Sequence, residues 1–412
     1  MEKSQQTEIT VENAVLSAFL ERAGTPVSGE ELAKTLDVSR NAVWKAVNKL
    51  KKQGYEVLSK PNAGYVFPAE QKLVIPERAE AVYSVFCAEK AAETAAVADG
   101  SAVLCMEREN AAVADDVASF GAENTGTSRK NGAQTAGNAA SPCNSVSAEQ
   151  NPVTLCKTAG AMLQNFGTYP KISVIAVDEI DSTNTALKKM AEAGAAEGTI
   201  VTARLQTGGK GRLGRTFLSP KGSGLYFSLL LRPDLPFSAC RTLTTTAAVA
   251  VSRAVERLVP GAKCRIKWVN DVFLHGKKVC GILTEAAIGA ETGKLDYAVL
   301  GIGINVTEPE GGFPEDLRSV AGAISKDGVD FSTLLGAVVA EFFTFYGKNG
   351  AACLAEYRAR QMLTGTPVTV FGNGEPYPAA VLGVSDDFGL LVEREDGTKE
   401  ELSSGEVSVR PR

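Results

Sequence analysis

Apolar residues recur at helical spacing in three short segments between residues 11 and 54. Ser28 and Glu31 have the spacing of a capping box at the start of the second segment, and Ser39 can cap the third. Two short strand patterns, YEVLSK and YVF, then flank the turn sequence PNAG. Short helices joined by a tight turn and followed by a hairpin predict a winged helix-turn-helix over residues 1–75.

The pattern changes after this unit. Residues 121–150 contain no aromatic residue and only one branched aliphatic residue, Val146, among Ala, Gly, Ser, Thr and Asn. Such a segment cannot bury enough apolar surface to offset the entropy lost on ordering. We therefore predict a linker over residues 76–165 with a disordered, low-complexity insert, although AVYSVFCAEKAAETAAV near its start has a helical composition.

Strand and helix patterns alternate again from residue 166. The segment CRIKWVNDVFLHGKKVCGILTE suggests a hairpin, and the segments around it suggest further strands and helices. These patterns predict an α+β core with a mixed sheet over residues 166–363. Short apolar strands with glycine turns over residues 364–412 predict a small β-barrel of the SH3-like type.

Composition and charge restrict the possible functions. Hydrophobic residues make up 44% of the 412 residues and charged residues 22%, which is typical of a soluble globular protein. No apolar run approaches the ~20 residues of a membrane helix, and no secretory signal precedes the first helix, so we expect a cytoplasmic protein without a membrane partner. The eight cysteines are irregularly spaced and the single histidine is His275, which is poor material for a zinc site.

Residues 208–215, GGKGRLGR, contain four glycines and three cations and are called here the glycine loop. A P-loop requires Lys followed by Ser or Thr, whereas Gly211 follows Lys210. The loop does satisfy G-x-G-x-x-G, but Pro220 and the glycines after it exclude the helix that a Rossmann turn requires. A loop between two strands remains, whose amides and cations can surround a phosphate or an acyl phosphate.

Four motifs in this order resemble the biotin–protein ligase family: DSTN at residues 181–184, the glycine loop with its preceding QT, KWVND at residues 267–271 and GIGIN at residues 301–305. The winged helix resembles that of the bifunctional members, which are also biotin operon repressors. The resemblance covers residues 8–75 and 165–412 and implies a core of the biotin/lipoate ligase type. The chain departs from the family pattern at Lys210, Phe217 and Val269, and in the length of its insert.

The resemblance implies an ATP-dependent reaction in which biotin and ATP form biotinyl-5′-AMP, from which biotin passes to a lysine of a biotin carboxyl carrier protein. Mg²⁺ would enter with ATP, and we expect no metal site made by the protein alone. Lys267 and Arg212 would be the catalytic cations. The residues implied around biotin are Ser182, Thr183, Asn184, Gln206, Lys210, Gly211, Arg212 and Lys267. Those implied around ATP are Gly209, Arg215, Asn270, Asp271 and Asn305.

Positive charge in the N-terminal unit is concentrated between residues 39 and 60, where six Lys or Arg face one acid, Glu56. This distribution favours binding of operator DNA through a helix-turn-helix at about residues 29–48. The candidate contacts are Ser39, Arg40, Asn41, Trp44, Lys45 and Asn48. The resemblance also implies a homodimer when the adenylate is bound. Two alternatives remain open, a lipoate–protein ligase-like enzyme and a ligand-sensing repressor with an inactive ligase core.

Overall fold

The structure is a computed structural model that describes residues 11–52, 54–60, 64–68, 71–98, 169–289, 293–346, 350–371, 374–403 and 408–411. The N-terminal unit is a winged helix-turn-helix whose small antiparallel sheet has the order β1-β3-β2. Its elements are α1 Val11–Glu21, β1 Pro26–Val27, α2 Gly29–Thr35, α3 Arg40–Lys52, β2 Leu58–Lys60 and β3 Gly64–Val66. The predicted insert and the first ten residues lie outside the described residues.

Local signals explain the boundaries of these helices. Ser28 Oγ accepts a hydrogen bond from Glu31 N at 3.0 Å, and Ser39 Oγ accepts one from Ala42 N at 3.1 Å, so both predicted N-caps are confirmed. The apolar stripes of α1 and α3 meet in a buried cluster in which Phe19 stacks on Phe67 at 5.5 Å between ring centroids. The unit therefore has a core of its own.

A polar joint connects the winged unit to the rest of the chain. Asp330 accepts hydrogen bonds from Gln71 N at 3.2 Å and from Thr333 N at 2.8 Å, so it caps a helix and holds the chain that leaves the wing. Arg78 Nε lies 3.3 Å from Asp330 Oδ1, and both side chains are largely buried. Ile75 N donates to Ser332 Oγ at 2.9 Å beside this joint.

The central sheet has seven strands in the order β4-β5-β6-β10-β9-β8-β7, and all neighbours are antiparallel except β4 and β5. The strands are β4 Ser173–Ile180, β5 Thr199–Gln206, β6 Gly224–Leu231, β7 Arg265–Lys267, β8 Asp271–Leu274, β9 Lys277–Ile288 and β10 Leu295–Asn305. The helices are α4 Pro76–Ala98, α5 Thr183–Glu192, α6 Cys240–Leu258, α7 Phe331–Phe345 and α8 Gly350–Arg360. The α+β prediction is confirmed for this core.

Both faces of the central sheet are covered, which explains why β6 is buried along its whole length. Leu230 and its neighbours on one face pack with Leu187 of α5, whereas Leu229 and Leu231 belong to the larger cluster that includes α6 and α7. Alternate side chains of a strand point to opposite faces, so a strand that lies between two helical layers is expected to be buried on both faces.

The predicted single hairpin over residues 264–285 is wrong in detail, since this segment forms three strands. One turn follows Lys267, and a second uses His275 and Gly276, both with positive φ. Two-residue hairpin turns of this kind require left-handed backbone, which histidine tolerates better than branched residues do. The extra turn brings the KWVND motif to the end of a short strand at the sheet edge.

The C-terminal strands form a separate antiparallel sheet in the order β14-β13-β12-β11-β15. They are β11 Pro367–Phe371, β12 Tyr377–Val384, β13 Leu390–Arg394, β14 Lys399–Leu402 and β15 Ser408–Pro411. Their apolar side chains join the cluster of the central core, and Trp268 Nε1 donates to Phe388 O at 3.0 Å. The SH3-like barrel and the domain limits stay predictions. Among the described residues, no helix is long and apolar enough to cross a membrane.

Replacing Asp330 by alanine should lower the free energy of unfolding by about 3 kcal/mol. The change removes the cap of α7 and leaves the buried Arg78 guanidinium without this carboxylate. Urea denaturation followed by circular dichroism measures the effect. The control is Asp316→Ala, because Asp316 is exposed. Equal stability of the two variants would contradict a structural role for the joint.

Candidate functional site

A cavity of about 380 Å³ opens between the N-terminus of α5, the glycine loop and the strands that carry KWVND and GIGIN. The sequence-predicted residues that line it are Ser182, Thr183, Asn184, Gln206, Lys210, Gly211, Arg212, Arg215, Lys267, Asn270 and Asp271. Gly209 and Asn305 are not among its lining residues. Residues from four separate motifs therefore meet at one place.

Part of the cavity lining consists of neutral polar side chains, and we call Ser182, Thr183, Asn184 and Gln206 the polar floor. Thr183 donates to Gln206 Oε1 from its backbone N at 2.9 Å and from its hydroxyl at 3.1 Å. Gln206 Nε2 in turn donates to Ser219 Oγ at 2.9 Å. These bonds fix which way the Gln206 amide points. Ser182 is the N-cap residue of α5, but its side chain makes no capping hydrogen bond.

Asn184 is held from behind by residues of the sheet. Its Nδ2 donates to Glu285 Oε2 at 2.9 Å, and its Oδ1 lies 2.5 Å from Ser228 Oγ, which can donate to it. Glu285 also receives a hydrogen bond from Lys188 Nζ at 3.0 Å. Burial opposes ionisation of Glu285, but the hydrogen bonds from Asn184 and Lys188 outweigh it and lower the pKa of this carboxyl group.

Glycines of β9 and β10 make the room that the cavity needs. A Cβ at Gly301 would lie 2.2 Å from Asn184 Oδ1, and one at Gly303 would lie 2.5 Å from the Phe217 ring. A Cβ at Gly281 would lie 3.0 Å from the same ring. The GIGIN motif thus places glycines on the face of the strand where an amide and an aromatic ring approach closely.

The glycine loop is an ordered hairpin-like turn. The backbone of Lys210 forms an isolated antiparallel β-bridge with the backbone of Thr216, and Gly211 N donates to Arg215 O at 2.7 Å. Leu213 at its tip has φ +56° and is 55% exposed. Gly209 is buried at its base, where a Cβ would lie 2.3 Å from Phe217 O, so this glycine permits a close backbone approach. The three cations project from a turn whose base is fixed.

The KWVND motif also contributes to the lining of the cavity. Lys267 is the last residue of β7, and the turn after it is tied to β9 because Asn270 Nδ2 donates to Ile282 O at 3.0 Å. Asn270 Oδ1 accepts from Arg212 NH1 at 3.2 Å, which connects this turn to the glycine loop. Lys278 Nζ lies 2.7 Å from Asp271 Oδ1. Burial lowers the pKa of Arg212, although Asp271 opposes this shift, and a guanidinium remains charged at neutral pH.

Two sequence regions match known families. Residues 176–305 match the "Biotin/lipoate A/B protein ligase family", and residues 12–66 match an "HTH domain". The chain is 35% identical over 236 residues to the "Bifunctional ligase/repressor BirA" of Bacillus spizizenii, which covers 55% of this chain and 71% of that protein. The chain belongs to the biotin protein ligase family.

Two further relatives agree with this assignment. A "Biotin--[acetyl-CoA-carboxylase] ligase" of Mycobacterium tuberculosis is 32% identical over 242 residues, which cover 56% of this chain and 86% of that protein. A solved structure of a mutant biotin protein ligase from Aquifex aeolicus in complex with biotin is 31% identical, with a TM-score of 0.50, and covers 57% of this chain and 97% of that one. Each of these matches covers somewhat more than half of this chain and most of the other protein.

Within this biotin protein ligase family member, Asn305 lies outside the cavity lining and has structural contacts. Its Nδ2 donates to Gly322 O at 3.0 Å, and its backbone carbonyl accepts from Ile324 N at 3.0 Å. These bonds hold the segment that contributes Leu317 and Val320 to the cavity. A contact of Asn305 with ATP therefore stays a prediction.

Sequence reasoning missed Ser219, Ser228 and Glu285, which support the polar floor from outside the motifs. No local pattern marks them, because each approaches the floor from a different strand or loop. The glycines Gly301 and Gly303 carry a readable signal, since glycine at alternate positions of an apolar strand marks a close approach on one face.

The candidate DNA contacts lie on the exposed side of α3. Arg40, Asn41 and Lys45 are exposed, and Trp44 is 56% exposed. Trp44 therefore does not pack into the core of the winged unit. Ser39 is the N-cap of the helix, so its hydroxyl already accepts a backbone hydrogen bond. The unpacked aromatic ring on a helix rich in lysine distinguishes this surface from an ordinary solvated face.

Replacing Gly301 by alanine should lower the free energy of unfolding by about 2 kcal/mol, because the new Cβ would overlap the buried Asn184 amide, which Glu285 and Ser228 hold in place. Thermal unfolding measures the loss. Gly374→Ala is the matched control, since no described atom lies within 4 Å of a Cβ added there and its φ is not left-handed. An unfolding midpoint unchanged from that of wild type in Gly301→Ala would show that the contact is not tight.

Proposed function

We propose that this protein is an ATP-dependent biotin–protein ligase that also acts as a biotin-responsive transcriptional repressor. The observation that carries the proposal is a single cavity that is lined both by the neutral polar floor and by Lys210, Arg212, Arg215 and Lys267. A ligand with a neutral hydrogen-bonding head and an anionic tail fits that arrangement. Biotin has both.

The polar floor suits the ureido ring of biotin, which is neutral, planar and carries both donors and acceptors. Ser182, Thr183 and Asn184 are all buried, so hydrogen bonds there form with little competition from water. Trp268 and Ile282 give the cavity apolar surface for the remainder of the ligand. Ligand sites of this kind combine apolar walls with a few placed polar groups.

The cations that line the cavity suit the chemistry of adenylation. A carboxylate oxygen of biotin attacks the α-phosphorus of ATP, the new oxygen–phosphorus bond forms, and the bond to the leaving pyrophosphate breaks. Lys267 and Arg212 would offset the repulsion between the two anions and the charge that develops on the phosphate oxygens. No nucleophile from the protein is needed.

Magnesium is compatible with this site through substrate oxygens. Asp271 is the only carboxylate among the described residues that line the cavity, and it lies beside Asn270. One carboxylate together with phosphate oxygens is a donor set that Mg²⁺ accepts. Asp271 and Asn270 would therefore contact the ion, and oxygens of ATP would supply most of its other ligands.

In the second step, a lysine amine of a biotin carboxyl carrier protein would attack the acyl carbon of the adenylate. The carbon–oxygen bond to AMP breaks, an amide forms, and the amine loses its proton. The carrier lysine is the natural acceptor because the mixed anhydride is already activated. The protein's part is to exclude water until the carrier arrives.

A lipoate–protein ligase-like enzyme is the nearest alternative. Lipoate offers a dithiolane ring without N–H groups, so it cannot donate to the second acceptor position of the carbonyl oxygens in the polar floor, whereas the ureido N–H groups of biotin can. A repressor with an inactive ligase core is a second alternative, and the cations that line the cavity argue against it. Pyrophosphate exchange measured with biotin and then with lipoate separates the three functions.

Lys267→Met should reduce biotin-dependent ATP–pyrophosphate exchange by between about a hundredfold and a thousandfold. Loss of one preorganised charge at a developing oxyanion has an effect of this size. Lys263→Met is the matched control, because Lys263 is exposed in the turn before β7. Undiminished single-turnover adenylation in Lys267→Met would overturn the role of this lysine.

Repression would require two copies of the winged unit. A single winged helix makes few phosphate contacts and binds DNA weakly at physiological salt, so a two-fold operator and a homodimer would supply the affinity. We propose that the adenylate promotes this pairing by ordering the site before the two copies meet, which reduces the entropic cost of association. Exposed basic residues on α3 support the DNA-binding part of the proposal.

Biotin with ATP should therefore tighten operator binding, and Arg40→Ala should weaken it while leaving ligation unchanged. The loss of one phosphate contact should reduce the slope of log affinity against log salt by about 1 per half-site. A DNA titration at two salt concentrations measures both effects, with Lys326→Ala as the control, since Lys326 is an exposed lysine in a loop of the core. An operator affinity that is the same with and without biotin and ATP would exclude a biotin-controlled switch.

A further inference from the structure

A line of hydrogen bonds passes behind the polar floor, from Lys188 through Glu285 and Asn184 to Ser228. We propose that Glu285 is a positioning residue that turns the Asn184 amide so that its oxygen, rather than its NH₂ group, is offered to a ligand N–H. Glu285 does not line the cavity, so it acts through Asn184. The inference rests on the proposed function and deepens it, because it states which chemistry the floor recognises.

The orientation of an asparagine amide is set by its partners, because its oxygen and nitrogen can exchange places by a half-turn. An ionised carboxylate only accepts hydrogen bonds. Asn184 Nδ2 is directed to Glu285 Oε2 at 2.9 Å and to Leu283 O at 3.4 Å, both on β9. With acceptors on that side, the oxygen has to point to the other side.

Two groups stand on the oxygen side of Asn184. Ser228 Oγ lies 2.5 Å from Asn184 Oδ1 and 2.8 Å from Thr183 Oγ1, and its single proton can go to either. Gly301 leaves the space in which the oxygen sits. A carbonyl oxygen has two acceptor positions, so a ligand N–H can bind there even when Ser228 donates.

The ion pair with Lys188 keeps this arrangement in place. Lys188 Nζ bonds Glu285 Oε1, while Asn184 bonds Oε2, so each oxygen has its own donor. Burial by itself would raise the pKa of Glu285, but the hydrogen bonds and the nearby charges of Lys188 and Lys210 lower it. A lowered pKa means that the carboxylate is lost only in acid, so the orientation holds throughout the neutral range.

Glutamine at position 285 should reverse the amide. The single side-chain oxygen of the glutamine would accept a hydrogen bond from the Lys188 ammonium group, because that cation can only donate. The glutamine NH₂ would then face Asn184, and the asparagine would turn its oxygen toward it. The floor would present a donor where the ligand also has a donor.

The experiment measures biotin-dependent ATP–pyrophosphate exchange with the full chain. Glu285→Gln should raise the KM for biotin about tenfold and change kcat by less than about threefold, since one hydrogen bond in the ground state is lost.

Adding Lys188→Met to Glu285→Gln should return the KM to within about threefold of wild type, because the glutamine oxygen is then free to face Asn184. In an Asn184→Ala background, Glu285→Gln should have no further effect. Glu192→Gln, a carboxylate on α5 bonded to Tyr297, is the matched control.

A structural role of Glu285 would give the opposite pattern. The double variant with Lys188→Met would be worse than Glu285→Gln alone, and the effect would persist in Asn184→Ala; either result overturns the inference. If Glu285→Gln does not fold, as judged by thermal unfolding, Glu285→Asp withdraws the carboxylate by one methylene and should raise the KM in the same way, and an unchanged KM overturns the inference. Absence of exchange in the wild-type protein would overturn the proposed function itself, and this role with it.

Discussion

Polar side chains buried at the floor of the cavity must keep hydrogen-bond partners, and much of the site's architecture follows from that constraint. A buried polar group without a partner costs about as much as a lost hydrogen bond. Thr183 and Asn184 therefore need Gln206, Ser228 and Glu285, which lie on β5, β6 and β9. Those strands must be neighbours of the helix that carries the floor. The position of α5 on the sheet and the glycine at position 301 are consequences of the same requirement.

The cations of the cavity follow a different rule. Positive side chains repel one another, so they gather only where the backbone holds them and where solvent or an anion offsets their charge. Lys210 and Arg215 remain exposed, whereas Arg212 is partly buried and donates to Asn270. The glycine loop is therefore ordered at its base, and its three cations line the cavity. This division gives the molecule a rigid neutral floor beside a basic turn that an anion would stabilise.

Local sequence patterns predicted the parts of this site that lie within one motif. The floor residues 182–184, the glycine loop and KWVND were each readable because a helix start, a loop or a strand end holds them together. Glu285 and Ser228 were not, since their importance arises from contacts across 40 residues of chain or more. The extra strand of the KWVND segment was also missed, because the turn after Lys267 has the sequence WVN, which carries neither glycine nor the usual Asn-Gly signature. The caps at Ser28 and Ser39 were predicted correctly because capping is a local event.

The winged unit contacts the ligase core near the end of α3, and coupling between DNA binding and ligand binding would have to pass through contacts of this kind. A side chain at Gly54, just after α3, would overlap the Arg204 guanidinium, and Arg204 lies two residues before Gln206 on β5. The end of the helix that carries the candidate DNA contacts is thus adjacent to the strand that holds the polar floor.

Coupling between the adenylate site and the operator site must be reciprocal. If the adenylate tightens operator binding by some factor, the operator tightens adenylate binding by that same factor. A ligand can shift this equilibrium only by as much as its contacts differ between the two states. The joint at Asp330 restricts how far the two states can differ. Any movement of the winged unit has to preserve the contacts of the buried Asp330 carboxylate with Gln71 and Arg78.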